Sequence, residues 1–296
     1  MNQQGHTMAD YRDLALLTFL WGGSFALTDI AISTMSPAWS VAIRMLIAAT
    51  VLAPFMIINR EHLPRTSRMW VWLIALALCG DLIPFFLLSS GIELVTSGLA
   101  AVLIGVMPLF TLALARIFVP GESFTVLRVV GFALGLTGLV IIVGPDALTP
   151  NTTAQMPLLG EALVLGGAFF FAVNAIIARR APPAPLYTKA CLTTGLAGLI
   201  MLPFAWAETP LNIEAVSLNS WLAVIALGAL PVGFATVIYF RIIENAGPAF
   251  MAITNYLVPI VALVIGVLFL DEQVTLATLL GFSVILAGIA LSELRR

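Results

Sequence analysis

The sequence predicts an all-α integral membrane protein: ten transmembrane helices, built as two inverted five-helix repeats, with both termini cytoplasmic. Three observations predict it. First, 61% of the 296 residues are hydrophobic and only 9% are charged, against about 25% charged in soluble domains. So few charges cannot cover a surface that faces water, so lipid is the natural solvent. Second, one stretch occurs twice. Pro108, Glu122, Gly131, Phe132 and Gly138 recur as Pro259, Glu272, Gly281, Phe282 and Gly288, offset by 151 residues before the turn and 150 after it. Third, the basic residues alternate with the spans, as set out below.

A hydrocarbon core about 30 Å thick takes about 20 helical residues to cross. Apolar runs of that length lie at roughly 11–33, 37–59, 69–90, 95–118, 125–144, 157–180, 186–206, 219–240, 248–269 and 274–294. They are read as helices because backbone groups in lipid must pair within their own segment. No run alternates polar and apolar residues as a barrel strand does. The polar first twelve residues lead into span one without a small-residue cleavage site, so span one is expected to be a retained helix.

With the N-terminus in the cytoplasm, Arg12, Arg60, Arg65, Arg68, Arg116, Arg128, Arg179, Arg180, Lys189, Arg241, Arg295 and Arg296 all fall on that side. These are twelve of the thirteen basic residues, and the remaining one, Arg44, lies inside span two. This is the positive-inside pattern, and it favours an even number of spans. Halving ten gives five per repeat, residues 1–150 and 151–296 of one membrane domain. Five is odd, so the second repeat enters the membrane upside down, as expected for alternating access. The other reading is an old duplication without mechanistic consequence.

Proline inside a helix removes a hydrogen bond and kinks the axis. Pro84, Pro108, Pro231 and Pro259 lie near the middles of spans three, four, eight and nine. Under the repeat they form two related pairs, expected to open a mid-depth cavity and to serve as gating kinks. Proline is also simply commoner in membrane helices. Small-residue faces, Gly131, Gly135 and Gly138 in span five and Ala277, Gly281 and Gly288 in span ten, let helices approach closely. Those faces are expected to pack together within the chain or in a weak homodimer; the chain is otherwise a monomer.

Most tryptophans and tyrosines sit at span ends, where interfacial rings belong. Trp21 and Tyr256 sit at mid-span instead. Each polar tip needs a partner, which a substrate or a neighbouring helix would supply. Asp81 is the one central carboxylate, and a charge there is costly. It would bind an amine or carry a proton, or else hydrogen-bond to kinked backbone. Asp29 and Arg44 lie at similar depth and are expected to pair and lock the first hairpin, although Arg44 could instead grip a carboxylate. Asn174, Asn255, Ser24, Ser89 and Thr236 are secondary candidates. Glu122 and Glu272 precede spans five and ten, where a carboxylate suits a helix N-terminus.

Net charge is −2, which gives no reason to expect nucleic acid. Cys79 and Cys191 are far apart in apolar runs, so no disulfide framework or metal site is expected, and no cofactor. His6 and His62 lie in polar segments, and no phosphate-binding loop is present. The residue two before Gly80-Asp81 is Leu78, so an intramembrane aspartyl protease motif is incomplete. An enzyme is not expected; the alternatives kept open are an intramembrane enzyme and a non-transporting scaffold or receptor.

Taken in order, FLWGGSFAL (19–27), RMLIAATVL (44–52), MPLFTLALARIFVPGESFTVLRVVGFALGLTGLVII (107–142), GEALVLGGAFFFAVNAIIARR (160–180) and VPIVALVIGVLFLDEQVTLATLLGFSVILAGIAL (258–291) resemble the EamA family of the drug/metabolite transporter superfamily. Span six has Phe169 to Phe171 where such families often carry Trp. The resemblance implies ten helices in an inner (plasma) membrane and a central cavity between the halves. It also implies secondary transport of a small molecule, often export of amino acids or related metabolites. Trp21, Ser24, Asp81, Phe85, Asn174, Asn255 and Tyr256 are the expected substrate contacts, with Trp21, Phe85, Phe169 and Tyr256 suited to an aromatic or apolar solute.

Overall fold

The computed structural model describes residues 7–118, 126–143, 157–251 and 253–293. Spans one and two are α1 (Met8–Ile32) and α2 (Pro37–Ile58). Span three is α3 (Ser67–Leu76), a π-helical turn (Ala77–Leu82) and α4 (Ile83–Ile92). Span four divides into α5 (Ser97–Ile104) and α6 (Met107–Phe118). Spans five, six and seven are α7 (Val126–Val143), α8 (Pro157–Arg180) and α9 (Leu186–Glu208). Span eight is α10 (Leu218–Leu227), a second π-helical turn (Gly228–Phe234) and α11 (Ala235–Asn245). Span nine is α12 (Pro248–Met251) and α13 (Thr254–Phe269), and span ten is α14 (Leu276–Glu293). Among the described residues, seven helices are long and apolar enough to cross a membrane, and two shorter apolar ones accompany them, Leu257–Phe269 and Leu276–Leu291. Glu122, Arg295, Arg296 and the expected boundary between residues 150 and 151 lie outside the described residues.

Hydroxyl side chains start many of these helices. Thr7, Ser36, Thr66, Thr96 and Ser217 each accept a backbone N–H of the first turn, satisfying a donor that the helix leaves open. Thr66 and Ser217 stand 151 apart, and so do the first residues of the two π turns, Ala77 and Gly228. The repeat therefore extends through the middle of spans three and eight.

A proline ring collides with the carbonyl four residues back and offers no amide. Widening one turn to five residues relieves both problems. In span three the Ile83 amide, just before Pro84, donates to Leu78. In span eight the Ala235 amide donates to Leu230, passing over Pro231. The expected proline symmetry needs correction here. Pro84 follows its π turn whereas Pro231 lies inside the other; the wide turn, not the proline, is what recurs. Pro108 is the second residue of α6, directly after the break at Gly105–Val106, but Pro259 lies within the continuous helix α13. The two halves meet at this point: a Cβ on Gly105 would touch the Pro259 ring at 3.5 Å.

The principal helix contacts run between halves. Span one packs on spans eight and nine, and span six packs on spans three and four. Span two packs on seven and on the second π turn, span seven on the first π turn, four on nine, and five on ten. Each pairing has its counterpart with the halves exchanged. The glycine faces of α7 and α14 are pressed together: a Cβ on Gly138 would stand 2.5 Å from the Gly281 carbonyl, and one on Gly288 2.5 Å from that of Gly131. Of the two packings expected for these faces, the structure shows the one within the chain.

Loop contacts fall into two sets joined by the helices. At the start of α1, Asp13 pairs with Arg241 at 3.3 Å. The Glu61 carboxylate accepts the Thr188 amide at 2.6 Å, and Arg180 donates to the Phe118 carbonyl. At the far end of α1, the Thr34 and Ser220 hydroxyls meet at 2.8 Å and the Trp39 indole donates to the Thr209 carbonyl at 2.8 Å.

Candidate functional site

The first π turn carries Asp81. Such turns displace a side chain from the ordinary helical register and are frequent at functional sites. The turn also sets Gly80 against α8: a Cβ on Gly80 would lie 2.7 Å from the Asn174 side chain. Only a glycine admits Asn174 here. The Asn174 Oδ1 atom is buried without a hydrogen-bond partner.

Arg44 reaches the same region from α2. It is 1% exposed. Its Nη2 donates to the Phe85 carbonyl at 3.2 Å and to the Ser89 hydroxyl at 3.4 Å. Its guanidinium carbon lies 4.3 Å from the centre of the Phe85 ring, a cation–π contact strengthened by burial. The Nε–H of Arg44 is buried with no partner. Phe85 meets Phe171 edge to face at 5.2 Å, and Phe171 and Asn174 are one turn apart on α8. Asp81 and Arg44 lie close enough to be coupled electrostatically, while the Thr193 hydroxyl of α9 donates to the Ala190 carbonyl of its own helix at 3.2 Å. The two opposite charges stop short of a direct ion pair, and Asp81 is only half-buried.

The expected pairing of Asp29 with Arg44 is not formed. Equal depth does not fix the face a side chain occupies. α1 packs on α13 and α10, whereas α2 packs on α9 and the second π turn, so the two residues point into different regions. Arg44 turns to span three. Asp29 lines a cavity of about 470 Å³ with Glu93, Thr96, Leu99, Leu270 and Glu272.

Trp21 is placed by the second π turn. Its indole N–H donates to the Pro231 carbonyl at 3.1 Å, and its ring lies 6.0 Å from that of Tyr239. Ser24 donates to the Trp21 carbonyl at 2.6 Å. Of the expected contacts, Asp81, Phe85 and Asn174 thus share a region with Arg44, while Trp21 serves the span-one to span-eight contact and Ser24 bonds back within α1. Asn255 is half-buried in the first turn of α13, and the Tyr256 side chain lies outside the described residues.

Glu272 also differs from expectation. It caps a helix, but in the other half. Its carboxylate accepts the Ser97 amide at 2.9 Å, the Ser97 hydroxyl at 2.6 Å and the Gly98 amide at 2.9 Å, at the start of α5. Gly98 and Gly266 form its walls: Cβ atoms there would approach the carboxylate to 2.7 and 2.4 Å.

Relatives cover the chain almost end to end. The uncharacterized transporter YoaV of Bacillus subtilis is 26% identical over 92% of this chain and 92% of its own length. The uncharacterized inner membrane transporter YedA of Escherichia coli is 27% identical over 95% of this chain and 89% of its own. A solved crystal structure, 22% identical, matches the fold with a TM-score of 0.67 over 98% of this chain and 99% of that one. The model of the EamA-like transporter family matches twice, at residues 14–144 and 158–294, once in each half that the packing interleaves. The chain is therefore a multi-pass membrane protein of the EamA-like transporter family, within the drug/metabolite transporter superfamily.

Proposed function

We propose that the protein is a secondary transporter that exports an amino acid or a related small metabolite by alternating access, with ten crossings, inverted halves and cytoplasmic termini. The observation that carries this is the pair of π turns, 151 residues apart, in helices packed against the opposite half. Two halves that touch mainly each other can rock about one centre, as inverted-repeat carriers do. The basic residues favour this orientation, and the inner membrane follows the naming of YedA. The substrate would sit near mid-depth beside Asp81, Phe85 and Asn174, with Asn255 and Tyr256 reached from span nine. The aromatic rings of Phe85, Phe169 and Phe171 suit an apolar or aromatic side chain.

The test is flux in proteoliposomes across a panel of amino acids, their derivatives and neutral metabolites. Saturable movement of at least one solute is expected. Absence of flux for the whole panel from folded protein, or cleavage of a lipid or peptide instead, would overturn the reading.

A further inference from the structure

We infer that the cleft between residues 62–66 and 183–185 holds the phosphate of an anionic phospholipid at the membrane surface, on the cytoplasmic side. Only the choice of side rests on the orientation proposed above. The cleft has a volume of about 210 Å³. One of its loops joins spans two and three and the other joins spans six and seven, so each half supplies one wall. Those walls are stiff. Pro64, Pro183 and Pro185 line the cleft, and proline fixes its own φ. Glu61 ties the two loops together, its carboxylate accepting the Tyr187 amide at 3.3 Å and the Thr188 amide at 2.6 Å.

The lining has two chemical characters. Arg65 and His62 supply N–H groups, and Thr66, the N-cap of α3, brings the positive end of that helix to the rim. Arg60, Arg65 and Arg68 are exposed, and among the described residues none of them pairs with a carboxylate. The one acidic residue between Arg60 and Arg68 is Glu61, which is already engaged by the α9 amides. The site is therefore open to an anion. Leu63 and Met69 line the same cleft, so the occupant joins its anion to hydrocarbon. The volume is below the roughly 300–1,000 Å³ of pockets that enclose a drug-sized ligand, which suits a headgroup with its tails outside. Val71 and Ile74, 67% and 40% exposed and one turn apart on α3, extend the apolar surface into the membrane and give a tail its track. Basic pockets between membrane helices on the cytoplasmic side recognise acidic headgroups in this way.

The experiment uses the full chain, delipidated in detergent. Phosphatidylglycerol, phosphatidylcholine and soluble glycerol phosphate are compared by native mass spectrometry of the adducts and by thermal stabilisation. Phosphatidylglycerol is expected to bind about ten-fold tighter than phosphatidylcholine, and Arg65→Gln to weaken it about five-fold, the factor for one cation beside an anionic headgroup. Arg65→Lys is expected to keep most of the affinity. Arg12→Gln is expected to change little, since Arg12 is exposed on the same side but does not line the cleft. The inference is overturned if phosphatidylcholine binds as tightly, or if folded Arg65→Gln keeps the wild-type affinity. Equal weakening by Arg12→Gln would also overturn it, by showing diffuse surface charge instead of a site. So would displacement of the lipid by glycerol phosphate at matched concentration, which would make the occupant a soluble phosphate. If Arg65→Gln does not fold, the lipid comparison and the glycerol phosphate competition decide. Binding is read without transport, so absence of flux leaves this inference standing, and absence of lipid selectivity leaves the transporter reading standing.

Discussion

The indole nitrogen of Trp21 lies 3.1 Å from the carbonyl oxygen of Pro231, in the π turn of the opposite half. In a regular helix that carbonyl would accept the Ala235 amide. The wide turn sends that amide to Leu230 instead, and Trp21 takes up the orphaned acceptor. Trp21→Phe keeps the ring bulk and removes the donor. Leaving a buried carbonyl unmatched costs about 1–3 kcal/mol. A lowered melting temperature of the solubilised protein is expected, with ligand affinity unchanged. A fall in affinity at unchanged stability would instead place the indole in the substrate site.

Glu272 holds the start of α5 through three hydrogen bonds from Ser97 and Gly98. A charged acceptor at a helix N-terminus is favoured by the local dipole, and hydrogen bonds to charged groups contribute about 1.5–3 kcal/mol each. Glu272→Ala is expected to lower the melting temperature clearly and Glu272→Gln less so. Gly266→Ala should resemble Glu272→Ala, since its methyl would displace the same carboxylate. Thermal unfolding of the three variants checks this ordering.

Gly138 and Gly288 let α7 and α14 meet backbone to backbone. A branched side chain has no room, and overpacking costs about 1–3 kcal/mol or more. Gly138→Val and Gly288→Val are each expected to reduce the yield of monodisperse protein. Size-exclusion profiles after extraction provide the measurement.

Partial desolvation raises the carboxyl of Glu93, which stays exposed, above its ordinary 4.5, and repulsion from Glu208 adds to it. The folded protein thus holds this proton more tightly than the unfolded chain does. The stability linked to Glu93 is fully present below its unfolded value and is lost as pH rises through the raised one. Glu93→Gln is expected to stabilise the protein at neutral pH, with an advantage that shrinks as pH falls toward 4.5. Melting curves of both proteins across that range test the sign.

The apolar helices and the two halves that the family model matches are legible because they are written in composition and spacing, which need no partner to be read. The π turns are not. Pro84 and Pro231 announced disturbed helices, but one residue added to a turn leaves no compositional mark. Asp81 stood out because a carboxylate at mid-span is costly wherever it points. Arg44 is conspicuous for the same reason, but its partner is not, because depth can be counted along a helix while its facing depends on which helices pack against it. Glu272 was visible as a repeated cap, yet the helix it caps begins at Ser97, 175 positions away, and only the interleaving of the halves brings the two together.

The central claim is a carrier whose interleaved halves expose one site alternately to each side. Counterflow in proteoliposomes tests it most directly, using a solute from the flux panel. Preloading the vesicles with unlabelled solute should accelerate uptake of labelled solute, which then overshoots and saturates with concentration. Uptake that is indifferent to preloading and linear in concentration would contradict alternating access.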